Sequence, residues 1–175
     1  MRCEVEGERD GGQVTVAMGP AWFDAARIPA TRAMTHTPCQ VGADTLNLTA
    51  VGLGNPHCVA FFEADQDLDQ LPWLRWGADL ETSEWFPNRT NVQFAAARSR
   101  SDVDVRVWER GAGQTQASGS SACAVAAAGV LLNRLDRQVR VRMPGGVLFV
   151  EVTDSFELFL KGPVEKVYDA DLASI

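Results

Sequence analysis

The sequence predicts an α+β fold: a curved antiparallel sheet, near a barrel, wrapped around one buried central helix. Three observations carry that reading. Short runs of period-two alternation recur along the chain, as in VDVRVW at 103–108. One helical stretch, from about Ser120 to Leu135, is apolar on every face, and a helix without a polar face must be covered all round. The 175 residues, 46% hydrophobic and 22% charged, suffice for a single domain with a continuous core.

The elements follow in order. The polar residues 1–12 are expected to be mobile. QVTVAM (Gln13–Met18) alternates as a strand, and the Pro-, Ala- and Thr-rich stretch from Gly19 to Gly42 reads as irregular. DTLNLTAV (Asp44–Val51) is a strand, and Cys58–Phe62 is a short apolar one after the GNPH turn. In DLDQLPWLRWGADL, apolar residues at Leu68, Leu71, Trp73, Leu74 and Leu80 predict a helix from Asp67, its N-cap, to Leu80. Pro72 is tolerated there only near the first turn. Asn91–Ala97 and Val103–Trp108 read as strands, followed by a Gly-rich turn and the buried helix. Its alanines and Gly129 permit close approach of the surrounding strands. Four β runs end the chain, Val139–Met143, Val147–Val152, Phe156–Leu160 and Val164–Tyr168, parted by PGG, TD and KGP turns.

Charge and composition exclude several functions. The net charge of 16 − 23 = −7 argues against nucleic-acid and anionic-membrane partners, which require clustered Lys and Arg. The longest apolar stretch, Ala122–Leu132, falls short of the ~18 residues a membrane span needs. The N-terminus MRCEVEGERDGG has no apolar core of a secretory signal. Cys3, Cys39, Cys58 and Cys123 are widely spaced, which predicts reduced thiols in a cytoplasmic protein and no metal site.

Two segments carry chemistry: GNPHCVAFF at Gly54–Phe62 and ERGAGQTQASGSSACA at Glu109–Ala124, with FPNRTNVQF at Phe86–Phe94 between them. Ser118-Gly119-Ser120 opens the buried helix, where free backbone N–H groups and hydroxyls suit a carboxylate. In this order and spacing, the segments resemble the C-terminal half of diaminopimelate epimerase. The resemblance extends from VTVAMG at Val14–Gly19 through MPGG at Met143–Gly146 to GPVEKVY at Gly162–Tyr168. It implies one half of a two-part fold, each half a barrel around a central helix. It also implies a cofactor-independent epimerisation of LL- to meso-diaminopimelate in bacterial lysine biosynthesis. Such a reaction removes the α-proton from one face and returns one on the other, so two acid–base groups must face each other across the carbon. The developing carbanion is stabilised by donors aimed at the carboxylate.

The resemblance assigns roles residue by residue. His57 matches a histidine that assists the acid–base cysteine, and Asn55 and Asn91 match asparagines that bind the distal amino-acid end of the substrate. Glu109 and Arg110 match the pair that contacts the substrate's amino and distal carboxylate groups, and Gly119 and Ser120 belong to the carboxylate cradle. Tyr168 matches a tyrosine at a dimer interface, so a homodimer is expected.

Three positions depart from the family's E-R-G-x-G-E-T-x-A-C-G-[ST]-G-A-C-A pattern: Gln114 replaces Glu, Ser118 replaces the catalytic Cys, and Ser121 replaces Gly. A free thiol ionises near ~8.5 and lower at a helix N-terminus, whereas a serine hydroxyl lies closer to water's ~15.7. Cys123, five residues on inside the apolar helix, reads as packing. The family's first half, with its own cysteine, has no counterpart in this sequence, so a separate N-terminal half is an expected partner. The expectation is a diaminopimelate epimerase-like half that is inactive alone. The alternatives are a non-catalytic binding module for an amino-acid dicarboxylate, or acyl transfer through Ser118 or Ser120 with His57. The last lacks a G-x-S-x-G elbow and a motif that would orient His57.

Overall fold

Among the described residues, eleven strands make one sheet in the order β1-β2-β11-β10-β9-β7-β6-β5-β4-β3, with short β8 paired to β7 off this path. The computed structural model describes residues 3–8 and 11–170. The strands are β1 (Cys3–Glu8), β2 (Gly11–Pro20), β3 (Thr37–Val41), β4 (Asp44–Gly52), β5 (Pro56–Phe62), β6 (Asn91–Ala97), β7 (Asp102–Glu109), β8 (Gly113–Thr115), β9 (Gln138–Met143), β10 (Gly146–Val152) and β11 (Glu157–Glu165). Helix α1 spans Trp73–Glu81 and helix α2 spans Gly119–Leu131.

The expected antiparallel, barrel-like wrap is corrected in two respects. The sheet is mixed: β5 pairs with β6, and β7 with β9, in parallel. A parallel neighbour cannot be reached by a hairpin, and each crossover carries a helix, α1 between β5 and β6 and α2 between β7 and β9. The sheet is also open, with β1 and β3 at the ends of its order. An isolated antiparallel bridge joins Trp22 to Gly52 outside the named strand pairs.

The helices cover opposite faces, and period-two alternation sorts the strand residues between them. Val59, Phe61 and Ala95 join the cluster around α2, while Cys58, Ala60, Val92 and Phe94 join the aromatic cluster with Trp73 and Trp76 of α1. That is why Pro56–Phe61 and Asn91–Ala96 are buried throughout, the polar His57, Asn91 and Gln93 included. Helix α2 is buried from Ser121 to Gly129, as its apolar sequence requires, and it touches β4, β5, β6, β9, β10 and β11.

Five local expectations are corrected. The first residues hold strand β1, paired to β2 from Cys3↔Val16 to Glu8↔Gly11, because ladder pairing uses the backbone and needs no apolar side chains. Residues 1, 2, 9 and 10 of the stretch expected to be mobile lie outside the described residues. The stretch read as irregular contains β3, whose inward side chains are Cys39 and Val41. The single helix expected over 67–80 is a 3₁₀ turn, Leu68–Gln70, capped by Asp67, and then α1. Leu71 is extended between them (φ −84°, ψ 151°), the conformation that Pro72 imposes on its predecessor. Strand β11 runs through the KGP expected to be a turn, since β2 pairs with it from Glu157 to Glu165 while β10 pairs only as far as Lys161, leaving Pro163 on an edge. Helix α2 stops at Leu131, Asn133 takes φ 54°, and Leu135 folds back over the helix. A Cβ on Gly129 would stand 2.3 Å from Leu135 Cδ1, so Gly129 makes room for this turn and not for a strand.

Candidate functional site

The first turn of α2 follows the β7–β8 turn in the chain, with Gln116, Ala117 and Ser118 between β8 and the helix. Ser118 is the N-cap in extended conformation (φ −153°, ψ 121°), and its hydroxyl makes no capping bond. The helix starts with Ala122 N–H donating to Ser118 O at 3.0 Å. Ser118, Gly119 and Ser120 are half-buried, so the unspent N–H groups of the first turn are open to a ligand. Gly119 leaves room for Leu160 of β11, whose Cδ2 would stand 2.7 Å from a Cβ at that position. The preceding segment is held by the β9–β10 hairpin, whose Gly145 N–H donates to Gln116 O at 2.8 Å.

The turn after β7 uses Gly111 and Gly113 at φ 79° and 77°, positions that suit glycine. Glu81, at the end of α1, clamps it: the carboxylate accepts from Gly111 N–H at 2.9 Å and Trp108 Nε1–H at 2.8 Å. Burial would raise this carboxyl, yet the Trp108 and Gly111 bonds and the Arg89 charge hold it below its ordinary value. Asn91 ties the turn to β5, accepting from Arg110 N–H at 3.0 Å and donating to Pro56 O at 3.0 Å. Arg110 donates to Asn88 O at 3.1 Å and is exposed, and Glu109 accepts from Thr115 Oγ1 at 3.1 Å. Among the described residues, no ion pair joins Glu109 to Arg110.

His57 is fully buried in β5. Its Nε2 lies 3.0 Å from Asn55 Oδ1 and its Nδ1 lies 3.1 Å from Gln93 Nε2, which also donates to Ser121 Oγ at 3.0 Å. Burial pushes the ring down to about 3, opposed by the Gln93 hydrogen bond and aided by the Arg110 charge, so the imidazole is neutral at ordinary pH. Both ring nitrogens are engaged, and no hydrogen bond joins His57 to Ser118 among the described residues. Burial pushes the Cys123 thiol up to about 12 and raises Cys58 as well, which makes both packing groups.

The structure thus brings Asn55 to His57, Asn91 to Arg110, and Ser118, Gly119 and Ser120 to one helix start. Tyr168 lies beyond β11 and is 78% exposed. Sequence reading missed Glu81, Gln93 and Thr115, and it noted Ser121 only as a departure. Gln93 did leave a signal: it is a polar residue inside the otherwise apolar VQFAAA.

The family pattern of diaminopimelate epimerase matches residues 49–167. The chain is similar to a diaminopimelate epimerase of Desulforudis audaxviator, 43% identical over 97% of this chain and 61% of the relative. It is likewise similar to that of Synechococcus elongatus, 40% identical over 92% of this chain and 58% of the relative. The chain therefore spans about 60% of the length of such relatives. Among solved structures, a probable proline racemase from Agrobacterium radiobacter K84 superposes with TM-score 0.62 at 11% identity, over 96% of this chain and 57% of that one. A methylitaconate-delta-isomerase superposes with TM-score 0.56 at 12% identity, over 94% and 60%. At such identities these two matches establish the fold alone.

Proposed function

The chain belongs to the diaminopimelate epimerase family, and from that premise we propose that its α2 corner binds an amino-acid dicarboxylate, diaminopimelate. The observation that carries this reading is the free start of α2: an N-cap Ser118 whose hydroxyl makes no capping bond, followed by the half-buried Gly119 and Ser120. Anions favour such a position because the unspent N–H groups and the helix dipole point at them. Arg110 is exposed at the end of β7 next to Glu109, and Asn91, the first residue of β6, accepts from the Arg110 backbone N–H.

Chemistry at this corner is limited by Ser118. A hydroxyl there is almost never an alkoxide at neutral pH, so its capacity to take the α-proton is far below that of a thiolate. We read the chain as an epimerase half that binds substrate and does not turn it over unaided. Incubation with LL- or meso-diaminopimelate in D₂O tests this. The expected result is no protein-dependent α-deuterium incorporation; incorporation by the unaltered chain overturns the inactive reading. A facing cysteine-bearing half is the proposed partner, and in its presence Ser118→Cys should raise exchange sharply.

The second reading, a binding module without chemistry, is favoured by the same hydroxyl. Calorimetry decides it: heat with meso-diaminopimelate, with no exchange in any combination of halves, selects the module. A homodimer through the exposed Val167–Tyr168 segment and a cytoplasmic location remain part of the proposal. Sedimentation of a Tyr168→Ala variant as a monomer beside a dimeric parent would support that interface.

A further inference from the structure

We propose that Gln93 is a positioning residue: acting through His57, it fixes the side-chain amide of Asn55 with its NH₂ turned to the site, so that position 55 offers a hydrogen-bond donor to a carboxylate oxygen of the ligand. Four side chains form one line, Ser121, Gln93, His57 and Asn55, linked at 3.0, 3.1 and 3.0 Å. Its polarity can run in two directions. In one, Gln93 Nε2 donates to both Ser121 Oγ and His57 Nδ1, the ring proton sits on Nε2, and Nε2–H donates to Asn55 Oδ1. In the other, Gln93 Oε1 accepts from both neighbours, the ring proton sits on Nδ1, and Asn55 turns its NH₂ inward.

Counting donors and acceptors chooses between them. The first direction spends both N–H bonds of the Gln93 amide and leaves one buried acceptor, Oε1, without a partner. The second would bury two N–H donors without partners, and buried orphan donors are rarer than under-satisfied acceptors. No other member of the line fixes the direction. A serine hydroxyl donates or accepts, a neutral imidazole has either tautomer, and the Asn55 amide can turn. Gln93 is fully buried between Val59 and Val107 in the ladder, and neither apolar neighbour offers its Oε1 a side-chain donor.

The consequence appears at Asn55. With Oδ1 spent on His57, its Nδ2 has no hydrogen-bond partner among the described residues, and the side chain is half-buried at the start of β5. The polarity is transmitted some three side chains from the buried first turn of α2 to the rim. The ligand half of this inference rests on the function proposed above; the tautomer half does not.

The test is the tautomer of His57, read by long-range ¹H–¹⁵N correlation on protein with ¹⁵N-labelled histidine at pH 7. The unaltered chain should show one neutral Nε2–H tautomer for His57. An Nδ1–H tautomer or an imidazolium overturns the proposal. Gln93→Met, of similar volume and without donors, should populate both tautomers; a single Nε2–H form there also overturns it. Should that variant fail to fold, Asn55→Ala removes the other ring partner at a half-exposed position. His57 must then keep the Nε2–H tautomer, and its loss assigns control to Asn55. Calorimetry with meso-diaminopimelate completes the test, the dissociation constant in Gln93→Met rising by the inverse of the remaining Nε2–H fraction, about twofold at equal populations. An unchanged constant alongside mixed tautomers refutes the link to the ligand. No binding by the unaltered chain removes the proposed substrate, and the wild-type and Asn55→Ala spectra decide the role of Gln93 regardless.

Discussion

Helix α2 carries no charged residue from Gly119 to Leu131 and is buried from Ser121 to Gly129, whereas α1 exposes Leu74, Arg75, Ala78 and Asp79 and buries Trp73, Trp76, Gly77, Leu80 and Glu81. The two are located by different combinations of forces. Apolar burial places α2, with small side chains setting how near the sheet and the following turn can come. Its only side-chain hydrogen bond among those described from Ser121 to Gly129 is at Ser121. In α1, directional bonds add to the apolar burial of Trp73, Trp76 and Leu80: Asp44 accepts from Trp76 Nε1–H at 2.8 Å, and Glu81 at the last position holds Trp108 and Gly111. A helix seated by burial keeps its N-terminus unspent for a ligand. A helix seated by polar ties as well can brace the turn that meets that ligand.

The sharpest break in this contrast is a charge inside α2. Ala126→Asp should remove the cooperative thermal transition, since an unpaired buried carboxylate costs more than about 4 kcal/mol, comparable to a domain's whole stability. A melt within a few degrees of the parent would mean that burial does not seat α2. Next is Glu81→Gln, which weakens bonds to a charged acceptor and should cost about 1.5–3 kcal/mol in urea unfolding, with a change in tryptophan emission from Trp108. The pH dependence has a definite sign. The Glu81 carboxyl is held below its ordinary 4.5, so its contribution is full above that value and is lost as pH falls through the depressed one. The Gln variant should therefore lose less stability than the parent below about pH 4. An equal acid loss in both would remove Glu81 from the clamp.

Gly77→Ala gives a smaller effect, with competing terms. Alanine gains ~1 kcal/mol of helix propensity, but its Cβ would stand 2.7 Å from Trp108 Cγ, and overpacking costs ~1–3 kcal/mol. Net destabilisation of roughly 1 kcal/mol follows, and a stabilised variant would show that α1 slides freely on Trp108. The smallest effect belongs to Asp102→Asn, which removes the partner of Arg140 and Arg142 on the outer side of β7 and β9. Its difference from the parent should fade as salt is raised.

Regions differ as well in how far the sequence disclosed them. Helix α2 was legible because no residue from Ala122 to Leu132 is polar, and β7 because Val103, Val105 and Val107 alternate with polar neighbours. The turn chemistry of ERGAG and the start of α2 were legible from residue type. Parallel pairing was not. It depends on which strand lies beside which after a crossover, and on links such as Arg140 to Asp102 and Arg142 to Asp104 that join residues far apart in the chain. Strand β3 hides because only Cys39 and Val41 of TPCQV turn inward. The His57 environment hides for the same reason as the parallel pairing: Asn55 is two positions away, but Gln93 and Ser121 arrive from β6 and α2.

The parallel register of β5 and β6 sets His57 opposite Asn91. Neighbouring strands lie about 4.8 Å apart wherever a ladder forms. The two asparagines proposed to read the ligand thus issue from adjacent rails, Asn91 at the first step of β6 and Asn55 one step ahead of β5. Backbone hydrogen bonding sets that gauge, and no side chain can widen it. Substitution at either position alters what is recognised at that one end of a ligand while leaving the spacing of the two rails unchanged.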